Sequence, residues 1–540
     1  EWSPNEKVAL EVTLGASIAG ARALCSMKHV GLNVAADPLF TAAYTGVNGG
    51  LVLAVADDPG MHSSQNEQDS RYYALAAKVP MLEPADSQEC LDYVKQAYGI
   101  SERFDCPVIV RLTTRVAHSQ SIVQTGEKAD YQLKNYLKDL TKYVMLPANA
   151  RGRHLAVEKR MAALKEYSET VNLNSIEWGS KKIGVITSGI AYQYAKEALG
   201  GVSFLKIGMV HPLPENLIAS FASEVETLYV IEELEPFLEN QIKKNGIKVL
   251  GKELLPVTGE LSAQLIKEKI LGVKAEDRET LAVNIPVRPP VMCPGCPHRG
   301  LFYVLGKLQL NVSGDIGCYT LGALPPNEAM DSCICMGASI GMAHGMAKAR
   351  GEQFGQKTVA VLGDSTFIHS GITGLIDVVY NKGTTTVIIL DNSTTGMTGH
   401  QHNPATGYTI KGEVTKQVDL VKLAEAVGVE RVSIADPFDI AELEKIVKEE
   451  TAAAEPSVII SQSPCALLKD VKPGKALKIN PEKCKKCRRC LAIGCPAIVD
   501  QGDFMEVNEA MCAGCGLCTK VCNFKALETA AGEKAGDING

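Results

Sequence analysis

The stretch Thr358–Asn392 constrains the fold more than any other part of the chain. An apolar run, Val359–Leu362, breaks at Gly363-Asp364-Ser365. Ile372, Leu375, Ile376, Val379 and Tyr380 then recur at the spacing of one buried helical face, and Thr386–Leu390 follows as a second apolar run that stops at Asp391-Asn392. Strand, helix and strand make a βαβ unit, whose right-handed crossover brings both strand C-termini to one edge of a parallel sheet. Asp364 and Asn392 are therefore expected to meet.

A carboxylate and an amide oxygen beside a glycine turn and a helix N-terminus can hold Mg²⁺, while backbone N–H groups around Gly363 and Ser365 face a diphosphate. Mg²⁺ takes only a few protein oxygens, so Asp364, Asn392 and the Thr394 carbonyl suffice. The spacing resembles the thiamine diphosphate (TPP) motif, Gly-Asp-X followed about 28 residues after the Asp by an Asn. An ordinary Rossmann-like turn with a solvated Asp is the alternative for this segment alone.

The thiols carry the second strong pattern. Eight of the seventeen cysteines lie in the last sixty residues, as Cys484-x2-Cys487-x2-Cys490-x4-Cys495-Pro496 and Cys512-x2-Cys515-x2-Cys518-x3-Cys522. This repeats the bacterial ferredoxin pattern, in which the last Cys of each run ligates the other run's cluster. One [4Fe–4S] cluster would take Cys484, Cys487, Cys490 and Cys522, and the other Cys495, Cys512, Cys515 and Cys518. The first run is one residue longer than usual and the second lacks the trailing Pro; paired zinc ribbons are the competing reading. Upstream, Cys293-Pro-Gly-Cys296 suits a zinc knuckle, a redox pair or half of an iron–sulfur site. Cys318 and Cys465 each follow a strand, and four dispersed thiols gathered at a sheet edge would make a proximal [4Fe–4S] site. Cys333 and Cys335 compete as ligands or pack nearby.

A chain of 540 residues should contain three or four domains. Residues 1–125 alternate helix and strand, 126–175 form a charged helical linker, and 176–285 a further α/β domain. Residues 286–470 hold the opening motif, 471–530 the ferredoxin-like cysteines, and 531–540 a tail. Net charge −7 gives no reason to expect nucleic acid or anionic membrane as partner, and no run of ~18 apolar residues could span a bilayer. With no secretory segment, a cytoplasmic location is expected. The chain opens with Glu1-Trp2 and reaches a helix at once, from which an earlier stretch is expected to be missing. The polar loop Asp57–Arg71 is a possible site, as is Ser188-Gly189 for a phosphate. His400 and His402 suit a substrate or TPP contact, or a plain surface loop. Glu6 opens the first helix, where the helix dipole alone would favour an acid. With a TPP motif in the chain, it also suits the carboxyl that tautomerises the aminopyrimidine.

Together, CPGCPHRG, GDIGCYTLGALPP, CICMGASIGMAHG, GDSTFIHSG, LDNSTTGMTGHQ and the terminal double-cluster run resemble the α subunits of the indolepyruvate:ferredoxin oxidoreductase family, over nearly the whole chain. The resemblance implies an α/β fold of several doubly wound domains like those of transketolase and pyruvate:ferredoxin oxidoreductase, with residues 1–125 binding the TPP pyrimidine. A C-terminal 2[4Fe–4S] ferredoxin domain follows. It implies oxidative decarboxylation of an aryl pyruvate with coenzyme A to an aryl-acetyl-CoA and CO₂, reducing ferredoxin through three [4Fe–4S] clusters. Glu6 matches the catalytic acid; Asp364, Asn392 and Thr394 match the Mg²⁺ ligands; Cys293, Cys296, Cys318 and Cys465 match the proximal cluster. Gly337, Ala338 and His298 fall beside the cofactor. Arg115 looks like the substrate-carboxylate Arg of pyruvate-specific relatives, and Met397, where those carry a polar residue, suits an aryl ring near His400. A smaller β subunit in an α₂β₂ assembly is implied. The family also carries an N-terminal Gly-Tyr-Pro-Gly turn absent here. A non-oxidative TPP lyase or carboligase with structural clusters, and an electron-transfer subunit serving a partner's active site, are the other readings.

Overall fold

The computed structural model describes residues 1–128, 130–274, 286 and 288–529; the tail expected over 531–540 lies outside them. Two compact units divide the chain, Asn5–Val283 and Asn284–Gly540, the second including Glu1–Pro4.

The first unit is built on two sheets. One contains β1 (Ala23–Lys28), β2 (Leu51–Asp57), β3 (Met81–Leu82), β4 (Val108–Thr113) and β8 (Met209–His211), in the order β1-β2-β4-β3-β8. The other holds β5 (Ser175–Glu177), β6 (Ser180–Thr187), β7 (Val202–Lys206) and β9 (Thr227–Ile231), in the order β5-β7-β6-β9. Adjacent strands among β1 to β4 are parallel, and buried on both faces they read as apolar runs such as Leu51-Val52-Leu53. β8, from the stretch expected to be a separate domain, pairs antiparallel with β3 and completes the first sheet. The region 126–175 is more than a tether. Its helix Pro147–Ser168 buries Val157 and Leu164, and Arg160 donates to the carbonyls of Ala43 (2.6 Å) and Asp105 (3.0 Å). The polar loop Asp57–Arg71 is likewise committed to structure. Asp57 pairs with Arg111 at 2.6 Å, and Arg71 with Asp69 and Glu232 at 2.6 Å each, all of them buried. Ser188-Gly189 faces a carboxylate, since a Cβ on Gly189 would stand 2.4 Å from Glu83 Oε1. That position disfavours an anion.

The second unit contains one six-stranded parallel sheet, β11-β10-β12-β13-β15-β14: β10 (Asn311–Gly314), β11 (Ser332–Cys333), β12 (Thr358–Gly363), β13 (Thr386–Asp391), β14 (Arg431–Ala435) and β15 (Ser457–Gln462). Helices cover both faces. Val359 and Val361 pack with helices His298–Leu308 and Ile440–Thr451, whereas Ala360 and Leu362 pack with Ala338–Arg350 and Ile372–Tyr380. Each fully buried Leu or Ile here contributes about 1.5–3 kcal/mol. The βαβ unit of the opening motif is present, with one correction to its helix. Leu375 and Val378 form the buried stripe, while Ile376 and Tyr380 are exposed. The chain leaves β12 through a short turn, Asp364–Thr366, and a π-helical turn, Phe367–Gly371, which rotate the helical face relative to an unbroken 3.6-residue repeat.

The C-terminal region of this unit has two small antiparallel ladders, β16 (Leu477–Ile479) with β19 (Leu527–Thr529) and β17 (Ile498–Asp500) with β18 (Met505–Val507). Ile498, Met505, Val507 and Leu527 form its core, and Cys484, Cys490, Cys495, Cys512, Cys518 and Cys522 pack against it. No helix among the described residues is long and apolar enough to cross a membrane.

Candidate functional site

The site of the second unit is set by register. Gly363 of β12 stands opposite Leu390 of β13, so Asp364 and Asp391 leave the sheet side by side and Asn392 follows. Gly363, Asp364, Ser365, Asn392 and Thr394 line one cavity with His298 and Met397. Asp364 is 2% exposed, and its carboxylate accepts from Asn403 Nδ2 at 3.0 Å. Burial, reinforced by the neighbouring Asp391 carboxylate, pushes it up to about 7. Asp391 is satisfied by the Ser393 N–H (2.9 Å) and Gln462 Nε2 (2.8 Å). Among the described residues no Lys or Arg pairs with Asp364, so a bound cation fits this pocket. His298 is buried and held neutral, its pKa lowered by desolvation to about 4. Its Nε2 accepts from Asn392 Nδ2 at 3.4 Å, fixing that amide with its oxygen on the opposite side.

Two residues expected beside the cofactor make internal contacts. The Gly337 N–H donates to Asp315 Oδ1 (2.9 Å) and the Ala338 N–H to the Cys335 carbonyl (3.1 Å). The start of helix Ala338–Arg350 is thus closed by an internal carboxylate, and neither residue lines the cavity. Met397 stands at the cavity mouth, 52% exposed. His400 lies outside, exposed, with Nε2 3.8 Å from Cys465 Sγ; His402 tilts against Tyr408. Tyr319 lines the same cavity, while Asp391 and Asn403 stand beside Asp364; none of the three was expected there. Asp391 was findable from the matched strand ends, but nothing local marks Asn403, which arrives on an irregular loop.

The four dispersed thiols come together. Burial raises the thiols of Cys296, to about 12, and of Cys318, and the nearby Cys293 and Cys465 add to the shift in both. The Cys465 N–H donates to the Asn392 carbonyl at 3.0 Å, tying this group to the cofactor loop. Cys333 instead donates to the Asp315 carbonyl, and Cys335 is exposed. The last eight thiols divide between two cavities. Cys484, Cys487, Cys490 and Cys522 line one; Cys495, Cys512, Cys515 and Cys518 line the other, with Cys296 and Arg299 in its wall. Among the described residues no three His, Cys, Asp or Glu side chains stand close enough to share a single metal ion. These thiols surround spaces, and neighbouring thiolates raise one another's pKa, so the donor set fits a cationic cluster.

In the first unit, Asn5 caps helix Glu6–Ile18, its Oδ1 accepting from the Val8 N–H at 2.9 Å. The Glu6 side chain lies over Gly31, where a Cβ would meet its Cγ at 2.6 Å. Arg115 is 53% exposed at its side chain and forms a two-pronged pair with Glu260, Nε at 2.7 Å and Nη2 at 2.6 Å. His62 joins the same carboxylate at 2.8 Å.

Residues 4–170 match the family described as pyruvate flavodoxin/ferredoxin oxidoreductase, thiamine diP-binding, and residues 315–461 the thiamine pyrophosphate enzyme C-terminal TPP binding domain. The indolepyruvate oxidoreductase subunit IorA of Archaeoglobus fulgidus is 39% identical over 560 residues, covering 98% of this chain and 89% of that protein. The IorA subunit of Pyrococcus horikoshii is 39% identical over 579 residues, with the same coverage. A solved 2-oxoglutarate:ferredoxin oxidoreductase from Magnetococcus marinus aligns with 50% of this chain and 56% of its own, at a TM-score of 0.40 and 15% identity. The thiamine-type strand ends, the two TPP domain matches and the near full-length identity agree, and the chain belongs to the family of indolepyruvate oxidoreductase IorA subunits.

Proposed function

We propose that this chain carries the TPP-dependent oxidative decarboxylation of aryl pyruvates with coenzyme A and passes the electrons through three [4Fe–4S] clusters to ferredoxin, alongside a smaller β subunit in an α₂β₂ assembly. The balance is 2-oxo acid anion plus coenzyme A thiol giving acyl-CoA, CO₂, one proton and two electrons. The observation that carries the reading is the tie between Cys465 and Asn392, together with Cys318 in the wall of the same cavity.

When bound, TPP supplies an electron sink for cleavage of the carboxylate from the 2-oxo acid. Asp364, Asn392 and the Thr394 carbonyl would hold Mg²⁺ against its diphosphate, in a pocket whose buried carboxylate has no cationic partner among the described residues. Glu6 would exchange a proton with the aminopyrimidine ring nitrogen. Arg115 would turn its guanidinium from Glu260 to the substrate carboxylate, and Met397 would lie against the aryl ring. Cys293, Cys296, Cys318 and Cys465 would hold the first electron acceptor, and the two C-terminal thiol sets the next two.

The test is anaerobic viologen reduction by the assembled enzyme with indolepyruvate and coenzyme A, together with iron, sulfide and TPP per chain. Reduction dependent on both substrates and about twelve irons per chain are expected. Release of aldehyde without reduction would establish a lyase, and TPP missing from an active complex would move the chemistry to a partner.

A further inference from the structure

We propose that the exposed basic rim around Cys487 is the docking face for a small acidic one-electron carrier protein. This rests on the reading of the C-terminal thiols as cluster ligands. Of those eight thiols Cys487 alone is exposed. It sits among Lys483, Lys485, Lys486, Arg488 and Arg489, all exposed, with Glu482 the one carboxylate in the same stretch. Two of these cations are neutralised, Lys483 by Glu528 at 2.8 Å and Arg488 by Asp500 at 2.7 Å. Among the described residues no ion pair engages Lys485, Lys486 or Arg489. A chain of net charge −7 thus leaves three uncompensated cations around one thiol, a local field that steers an anionic partner to that spot.

The rim also has apolar contact area. Phe504, 54% exposed, shares a concavity with Lys486 and Cys484, and Phe524, 42% exposed, borders the thiol cavity beside Lys485 and Arg489. Exposed aromatics ringed by charge suit a small, transient interface. The position selects the occupant. The cavity of Cys495, Cys512, Cys515 and Cys518 is walled by Cys296 and Arg299, whereas that of Cys484, Cys487, Cys490 and Cys522 reaches the surface at Cys487. A carrier seated on the rim therefore lies against the outermost cluster. One electron passes from the reduced cluster to the carrier's oxidised cluster, no bond is made or broken, and two such transfers complete a turnover.

The experiment uses the assembled, cluster-loaded enzyme carrying Lys485→Glu/Lys486→Glu, and separately Lys485→Gln/Lys486→Gln, with an acidic [4Fe–4S] ferredoxin and with methyl viologen as acceptors. For the charge reversal, kcat/KM for ferredoxin is expected to fall at least about tenfold and to lose most of its dependence on salt between about 50 and 300 mM. The neutral pair should fall about threefold. Viologen rates and the cluster signals in electron paramagnetic resonance should be retained. Unchanged ferredoxin kinetics with those signals intact would overturn the proposal, as would loss of the partner subunit or of bound nucleic acid as the sole effect. Wild-type enzyme lacking iron in this segment would instead overturn the cluster reading beneath it.

Discussion

Arg299 ties the proximal thiol loop to the C-terminal segment, and replacing it with Met should cut that tie. Arg299 is 3% exposed. Nη1 donates to the carbonyls of Ile493, at 3.0 Å, and Gly494; Nη2 donates to those of Met292 and of Cys293, at 3.0 Å. Hydrogen bonds from a charged donor contribute about 1.5–3 kcal/mol each. All four come from one buried cation whose own desolvation is costly, and Nε has no partner among the described residues, so the sum is well below four times that. A net loss of about 3 kcal/mol is expected, most of it from carbonyls left unpaired in the interior. The fit between the two surfaces leaves little slack. A Cβ on Gly295 would come within 2.9 Å of Ala513 Cβ, and Cys495 follows Gly494 directly. Amide hydrogen exchange reads the change residue by residue. Protection around Ile493 to Cys495 should fall about 100-fold, at about 1.4 kcal/mol per factor of ten, while β12 and β13 keep theirs. Arg299→Lys, which keeps the charge and loses the fork, should recover part of it. Unchanged protection in both variants would refute the reasoning.

Three further outcomes are expected. Gly31→Ala puts a methyl where Glu6 Cγ and Oε1 now lie, at 2.6 and 2.8 Å, and a flexible side chain can yield. Turnover should fall about tenfold or more with thermal stability kept, measured by steady-state rates beside a melting curve. Asp364→Asn removes a buried carboxylate that has no cation: the apo chain should melt no lower than wild type, yet the rise in melting temperature with Mg²⁺ and TPP should vanish. Burial holds His211 down at about 4 from an ordinary value of 6.5, with neither ring nitrogen hydrogen-bonded among the described residues. The unfolded chain therefore takes up a proton that the folded one refuses, and stability falls as pH drops from about 6.5 to about 4, by up to about 3 kcal/mol. His211→Phe should flatten that part of the melting-temperature profile, and an identical acid slope in the variant would exclude His211 as its source.

The parallel sheet of the second unit and the meeting of Asp364 with Asn392 were legible in the sequence, because a fully buried strand must be apolar throughout and a right-handed crossover leaves one arrangement for the two strand ends. Short Cys-x2-Cys-x2-Cys spacings gather each triplet of the last eight thiols, whereas the exchange that sets Cys522 beside the first triplet and Cys495 beside the second follows the ferredoxin pattern and is not forced by spacing. Only the tertiary structure decided which face of Ile372–Tyr380 is buried, since the side turned to the sheet depends on how the chain leaves β12 through a π-helical turn, which spacing inside the helix does not record. It also decided that Gly337 and Ala338 spend their N–H groups internally, that β8 crosses to the first sheet, and that Arg299 joins two loops nearly two hundred positions apart. Periodicity reports on neighbours along the chain. A buried hydrogen bond between distant segments leaves no such trace, because what selects it is the desolvation cost of leaving its donor or acceptor unpaired, and that cost exists only once the surrounding core has formed.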